Sequence, residues 1–150
     1  MSRTPYPAPP LPRAGQLRAW WRAPASPTAL AWYLVQAARA HTAPLLVIAR
    51  DNHGASQLEA DLHTLLGADP SLPVVAFPDW ETLPYDRFSP HPDIISQRLA
   101  ALHRLPTLKR GVVIVPVQTL LQQLAPQSYV IGGSFDLKVG QRLDLEAEKR

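Results

Sequence analysis

Three short, uninterrupted apolar runs constrain what this chain can fold into: Leu45-Leu-Val-Ile-Ala49, Val74-Val-Ala-Phe77 and Val112-Val-Ile-Val115. Runs this brief, with no polar alternation, read as strands buried on both faces, the pattern of a parallel sheet. Between them lie segments of helical period. Residues 55–66 bring Leu58, Leu62, Leu65 and Leu66 to one face, and Gly67 stops the helix. Residues 93–105 turn Ile95, Leu99 and Leu102 inward, with Asp93 at the cap, where the helix dipole favours a carboxylate. Another helix, 28–41, precedes the first strand. Its Leu30, Leu34 or Tyr33, and Ala37-Ala38 recur at helical spacing, and Ser26 or Thr28 can cap it. A short helix over 117–124 follows the last strand and ends before Pro126. This alternation predicts an α/β fold, a parallel sheet flanked by helices.

The ends follow other rules. Residues 1–13, with Tyr6-Pro-Ala-Pro-Pro-Leu-Pro12, form a polyproline-like tail predicted to be disordered. The folded α/β unit spans 14–126. It opens with Leu17, Trp20 and Trp21 and the loop Arg22-Ala-Pro-Ala-Ser-Pro-Thr28. Beyond Pro126, Tyr129-Val-Ile131 and Phe135-Asp-Leu-Lys-Val139 read as short strands around Gly132-Gly133, and the last residues as a helix start. Residues 127–150 are therefore predicted to open a second, α+β unit that the chain leaves incomplete.

Composition removes several function classes. The 150 residues, 46% hydrophobic, suffice for one ordinary core. The absence of cysteine excludes a disulfide framework, a thiol nucleophile and a Cys-ligated zinc, and suits the cytoplasm. No apolar run is long enough to span a bilayer, and the Pro-rich start argues against a secretion signal. Charge is unevenly placed: residues 1–50 hold six arginines and no acid, and every Asp and Glu lies at Asp51 or later. A basic end favours phosphate backbones, although scattered Arg is also the composition of a solvated face. One alternative is thus a stand-alone basic nucleic-acid-binding module, with Arg13, Arg18, Arg22 and Arg39 neutralising phosphates and Trp20, Trp21 and Trp32 stacking bases. Trp32 lies within a predicted helix and there are only three lysines, which weighs against it.

An α/β unit invites a search for nucleotide chemistry. A phosphate loop needs Gly-x-x-x-x-Gly-Lys-Ser/Thr, so that backbone N–H groups surround phosphate, lysine meets its charge and a hydroxyl meets magnesium. With Thr28 as the hydroxyl, Pro27 stands at the lysine, Ser26 at the second glycine and Trp21 at the first. Proline offers neither N–H nor charge. The loop has the position without the chemistry, which argues against a stand-alone nucleotide-binding domain. Asp79 and Glu81 after the second strand imitate a magnesium-holding acid pair, but Pro78 and Trp80 interrupt it. His41, His53, His63, His91 and His103 have no metal-ligand spacing, and Ser26, Ser89 and Ser96 sit in no nucleophile elbow. No catalytic, cofactor-binding or metal-binding residue is assigned.

The unusual stretch is Phe77-Pro-Asp-Trp-Glu-Thr-Leu-Pro-Tyr-Asp-Arg-Phe-Ser-Pro-His-Pro-Asp93. It is too polar for a core and too aromatic for an ordinary solvated loop. Its prolines fix φ and bias their predecessors toward extended geometry, so a semi-rigid loop is predicted. The rings either pin the loop to the domain or, with the acids, meet a partner or a nucleic acid. Asp79, Trp80, Glu81, Tyr85, Asp86, Arg87 and Phe88 are the candidate docking residues.

These residues also bear a resemblance. Asp79-Trp-Glu-Thr-Leu-Pro-Tyr-Asp86, Phe88-Ser-Pro-His91, Asp93-Ile-Ile-Ser96 and Arg98-Leu99 resemble the N-terminal region of the bacterial transcription-repair coupling factor, Mfd. Gly111-Val-Val-Ile-Val-Pro-Val117, Thr119-Leu120 and Lys138-Val-Gly-Gln-Arg-Leu143 continue it. The likeness covers about residues 43–143. It implies a helicase-like α/β domain similar to UvrB, with a degenerate phosphate loop, interrupted by an inserted second domain. It further implies a scaffold segment without catalysis, in a protein that releases stalled RNA polymerase and recruits UvrA to excision repair. ATP, magnesium and double-stranded DNA would then serve an absent C-terminal motor, and partners would include the protein's remaining domains.

Overall fold

A computed structural model describes residue 12 and residues 15–67, 69–82 and 87–132. Helix α1 (Pro27–Ala40) leads into strand β1 (Leu45–Ala49), helix α2 (Asn52–Leu66) and strand β2 (Val74–Ala76). Helix α3 (Pro92–Arg104), a 3-10 turn (Leu105–Thr107), strand β3 (Val112–Pro116), a second 3-10 turn (Val117–Leu121) and helix α4 (Gln127–Gly132) follow. The three strands form one parallel sheet in the order β1-β3-β2. The fold is α/β, as the apolar runs predicted.

Local chemistry sets the element ends. Ser26 caps α1, its Oγ accepting from the Ala29 N–H at 3.5 Å, and Pro27 follows where its missing N–H costs nothing. At the other end, Arg110 Nη2 donates to the carbonyls of Ala38 and Arg39 at 3.2 and 3.1 Å, satisfying acceptors the helix leaves open. Asp51 caps α2 through Gly54 N–H at 2.7 Å, so this helix starts three residues ahead of the sequence expectation at residue 55. For α3 the cap is His91, whose Nδ1 accepts from Asp93 N–H at 3.3 Å. Asp93, expected as the cap, sits instead in the first turn, still on the favourable end of the dipole.

The core has two layers. On one face α1 and α2 pack Ala31, Val35, Leu58 and Leu62 against Val112 and Ile114. On the other, α3 packs Ala101 against Val75, Phe77, Val113 and Val115. β3, central in the sheet, is buried throughout. β1 departs from the expectation of a strand buried on both faces: Leu46 and Ile48 are 59% and 55% exposed. The reason is coverage, since among the described residues that face is covered over β2 and β3 and left open over β1.

Three further expectations are corrected. α3 turns Arg98 and Ala101 fully inward, while Leu99 is 45% exposed. Residues 98, 101, 102 and 105 share one helical stripe, and Arg98 occupies its core position because aromatic rings wait there. The segment 117–124 is a 3-10 turn over Val117–Leu121 rather than an α-helix, with only Thr119 buried and no apolar stripe to hold a longer helix. Tyr129-Val-Ile131, expected as a strand, is helical: Pro126 starts the turn, its carbonyl accepting from the N–H groups of Tyr129 and Val130 at 3.0 and 3.2 Å. Val130 is buried, and α4 lies against α3 instead of extending the sheet. The expected strand at 135–139 and residues 133–150 as a whole lie outside the described residues, as do residues 1–11 of the tail.

Candidate docking loop

The loop leaves the sheet where β2 ends. Phe77 N–H still donates to Ile114 O at 2.9 Å, so the ladder with β3 holds up to Pro78. From there the candidate residues divide. Asp79 is half-buried and faces the protein: its Oδ1 accepts from the Thr119 hydroxyl at 3.3 Å and from Gln122 Nε2. Its other oxygen accepts from Glu81 N–H at 3.4 Å. Trp80 is also half-buried, its ring 4.0 Å from the Arg98 guanidinium carbon. Glu81 is exposed and takes a left-handed backbone with φ 58°, a conformation that costs a non-glycine residue free energy. Arg87 is exposed, and Phe88 stands 77% exposed, far outside the usual range for phenylalanine. Tyr85 and Asp86 lie outside the described residues.

Asp79 and Trp80 pin the loop, whereas Glu81, Arg87 and Phe88 face outward. The residue that sequence reasoning missed is Arg98, only 2% exposed. Its guanidinium lies 4.3 Å from the Phe77 ring as well as against Trp80, and Nη1 donates to Pro78 O at 2.5 Å. Burial pulls its pKa below the ordinary arginine value, and the Asp79 carboxylate opposes that shift. The stripe 98, 101, 102, 105 was the available signal, where the sequence reading turns Ile95, Leu99 and Leu102 inward.

The other candidate chemistries do not assemble. Pro24, Ala25 and Pro27, at the phosphate-loop position, line a cleft of about 430 Å³ with Val47, Leu58, Arg50, Asp51 and His53. Asp51 is held below the usual carboxylate pKa by the Gly54 N–H and by Arg50, whose Nε donates to it at 3.0 Å. The Thr28 hydroxyl, at the magnesium position of the alignment, donates to Asp61 at 3.1 Å. Asp79 of the imitated acid pair is taken up by Thr119 and Gln122. Among the described residues no three His, Asp or Glu side chains could share a metal ion. Of the basic residues, Arg18 and Arg22 precede α1 and Arg39 lies in its last turn. Trp21 packs edge-on against Tyr33 with centroids 5.0 Å apart, Trp32 is half-buried, and Arg13 lies outside the described residues. No helix among the described residues is long and apolar enough to cross a membrane.

Fold and loop together define the class: a parallel α/β segment with an aromatic, acid-bearing loop at the carboxyl end of its sheet. No family model matches the chain. It is 44% identical over 119 residues to the transcription-repair-coupling factor of Escherichia coli (strain K12), covering 79% of this chain and 10% of that protein. The Haemophilus influenzae factor is 43% identical over 101 residues, or 67% of this chain and 8% of the relative. The Mycobacterium tuberculosis factor is 40% identical over 103 residues, or 63% and 8%. The chain is a segment of the transcription-repair-coupling-factor family, and it spans about 10% of the length of the curated relatives it matches.

Proposed function

We propose that the chain is an N-terminal, UvrB-like scaffold segment of a transcription-repair coupling factor and that it performs no catalysis of its own. The intact protein would release stalled RNA polymerase in the cytoplasm and recruit UvrA. ATP, magnesium and double-stranded DNA would be handled by a motor elsewhere in its sequence. The segment's contribution is a docking surface for another domain of the same protein or for a repair partner. One observation bears most of this reading: Asp79 and Trp80 are clamped inward while Glu81 and Phe88 are held out on the same loop. An exposed ring and an exposed acid on one loop, braced at Asp79 and Trp80, suit recognition better than packing. The hydrogen bond of the Thr28 hydroxyl to Asp61, and Pro27 where a phosphate loop has lysine, support the absence of nucleotide chemistry.

The test uses a full-length coupling factor containing this segment, with Glu81→Ala and Phe88→Ala combined. Preferential repair of the transcribed strand after ultraviolet damage should fall several-fold, while the isolated chain keeps its melting temperature. Both side chains are exposed, and substitutions at such sites shift stability by only about 0.5 kcal/mol. Unchanged repair would remove the docking reading.

A further inference from the structure

Four consecutive residues, 77 to 80, carry the chain from β2 into the docking loop, and Arg98 touches three of them. Its guanidinium sits between the rings of Phe77 and Trp80 and donates to the carbonyl of Pro78 between them. The fourth residue, Asp79, faces it electrostatically and is tied to Thr119 and Gln122 on the far side. Two of these contacts require a plane: stacking uses the guanidinium faces and hydrogen bonding uses its edge. A lysine ammonium has the charge without either face. Burying a cation is costly, and an apolar side chain of similar volume commonly serves a core as well or better. Here Nε finds no partner, so the burial cost is only partly offset. A core position that keeps an incompletely satisfied arginine is doing something other than filling space.

We propose that Arg98 is a positioning residue: by gripping Phe77, Pro78 and Trp80 it sets the direction in which the loop leaves the sheet. It thereby decides where Glu81 and Phe88 are presented. The consequence for docking rests on the function proposed above; the positioning itself does not.

Hydrogen exchange on the full chain separates the two. In Arg98→Lys, amides of residues 79–82 and 87–89 should exchange roughly tenfold faster, with those of β1 and β3 unchanged, because local opening is uncoupled from global unfolding. Arg98→Met, which fills the space without charge or plane, should loosen the same amides and leave the sheet at least as protected. Loop exchange that is unchanged, or that rises in step with the sheet, makes Arg98 a packing residue and overturns the proposal; so does failure of both variants to fold. In the full-length factor, Arg98→Lys should reproduce the repair loss of the Glu81/Phe88 variant. If that variant leaves repair intact while Arg98→Lys frees the loop, docking fails and positioning stands. If the variant impairs repair and Arg98→Lys leaves the loop protected, positioning fails and docking stands.

Discussion

Gly111 has a backbone φ of 127°, a region L-amino acids with a side chain rarely enter. It stands where three chain segments meet. Its carbonyl accepts from Leu45 N–H at 2.9 Å as β1 begins, and the next residue, Val112, donates to Pro73 O at 2.9 Å just ahead of β2. A Cβ built on Gly111 would collide with that same Pro73 oxygen. The glycine therefore permits both edge strands to start in register with β3. Gly111→Ala should cost about 3 kcal/mol, from strain plus displacement of Pro73. Urea unfolding would show it as a lowered midpoint with unchanged slope; a loss below about 1 kcal/mol would mean that the backbone there adapts easily. Arg98 teaches the complementary lesson at this scale. Hydropathy patterning treats arginine as outward, and the rings that overrule it lie 18 and 21 positions earlier in the chain, at Trp80 and Phe77. Periodicity within α3 has no access to them.

Among the elements, α2 shows how far caps are legible. Gly67, with φ 60°, is the stop its residue type predicts, whereas Asp51 supplies an N-cap ahead of the expected start. The Asp51 pKa is lowered first by the Gly54 N–H and then by Arg50, and that of Asp69 by the hydroxyl and N–H of Ser71. A folded-state pKa below the ordinary 3.8 means that this stabilisation is complete above that pH. It is lost as pH falls through the lower folded value. The melting temperature should therefore decline on acidification, and Asp51→Asn, which keeps a capping oxygen without the charge, should flatten part of that decline. Circular dichroism melts from neutral pH into the acid range would check this; an identical acid slope in the variant would assign the loss to other groups. α4 shows where local reading stops. Tyr129-Val-Ile131 has strand-like residues, but a strand needs a partner edge. Pro126 and the burial of Val130 against α3 settle it as a helix.

Among the described residues the sheet is unevenly covered. α1 and α2 blanket one face of the sheet, and the other leaves Leu46 and Ile48 open on β1. Replacing both with serine should cost only about 1 kcal/mol each, because less than half of each side chain is buried. Binding of a hydrophobic dye should fall at the same time. A large drop in melting temperature would mean that this face is covered in solution. The sequence by itself determined the alternation of strands and helices, the parallel sheet, the stop of α2 at Gly67 and the loop after β2. Each of these depends on side-chain period or on backbone chemistry within a few residues. Tertiary structure alone decided the order β1-β3-β2, the half-open face, the helical α4, and the division of the loop into Asp79 and Trp80 inward and Glu81 and Phe88 outward. Those outcomes turn on which distant surfaces meet, and contact free energy between segments 20 to 40 positions apart leaves no periodic trace in either.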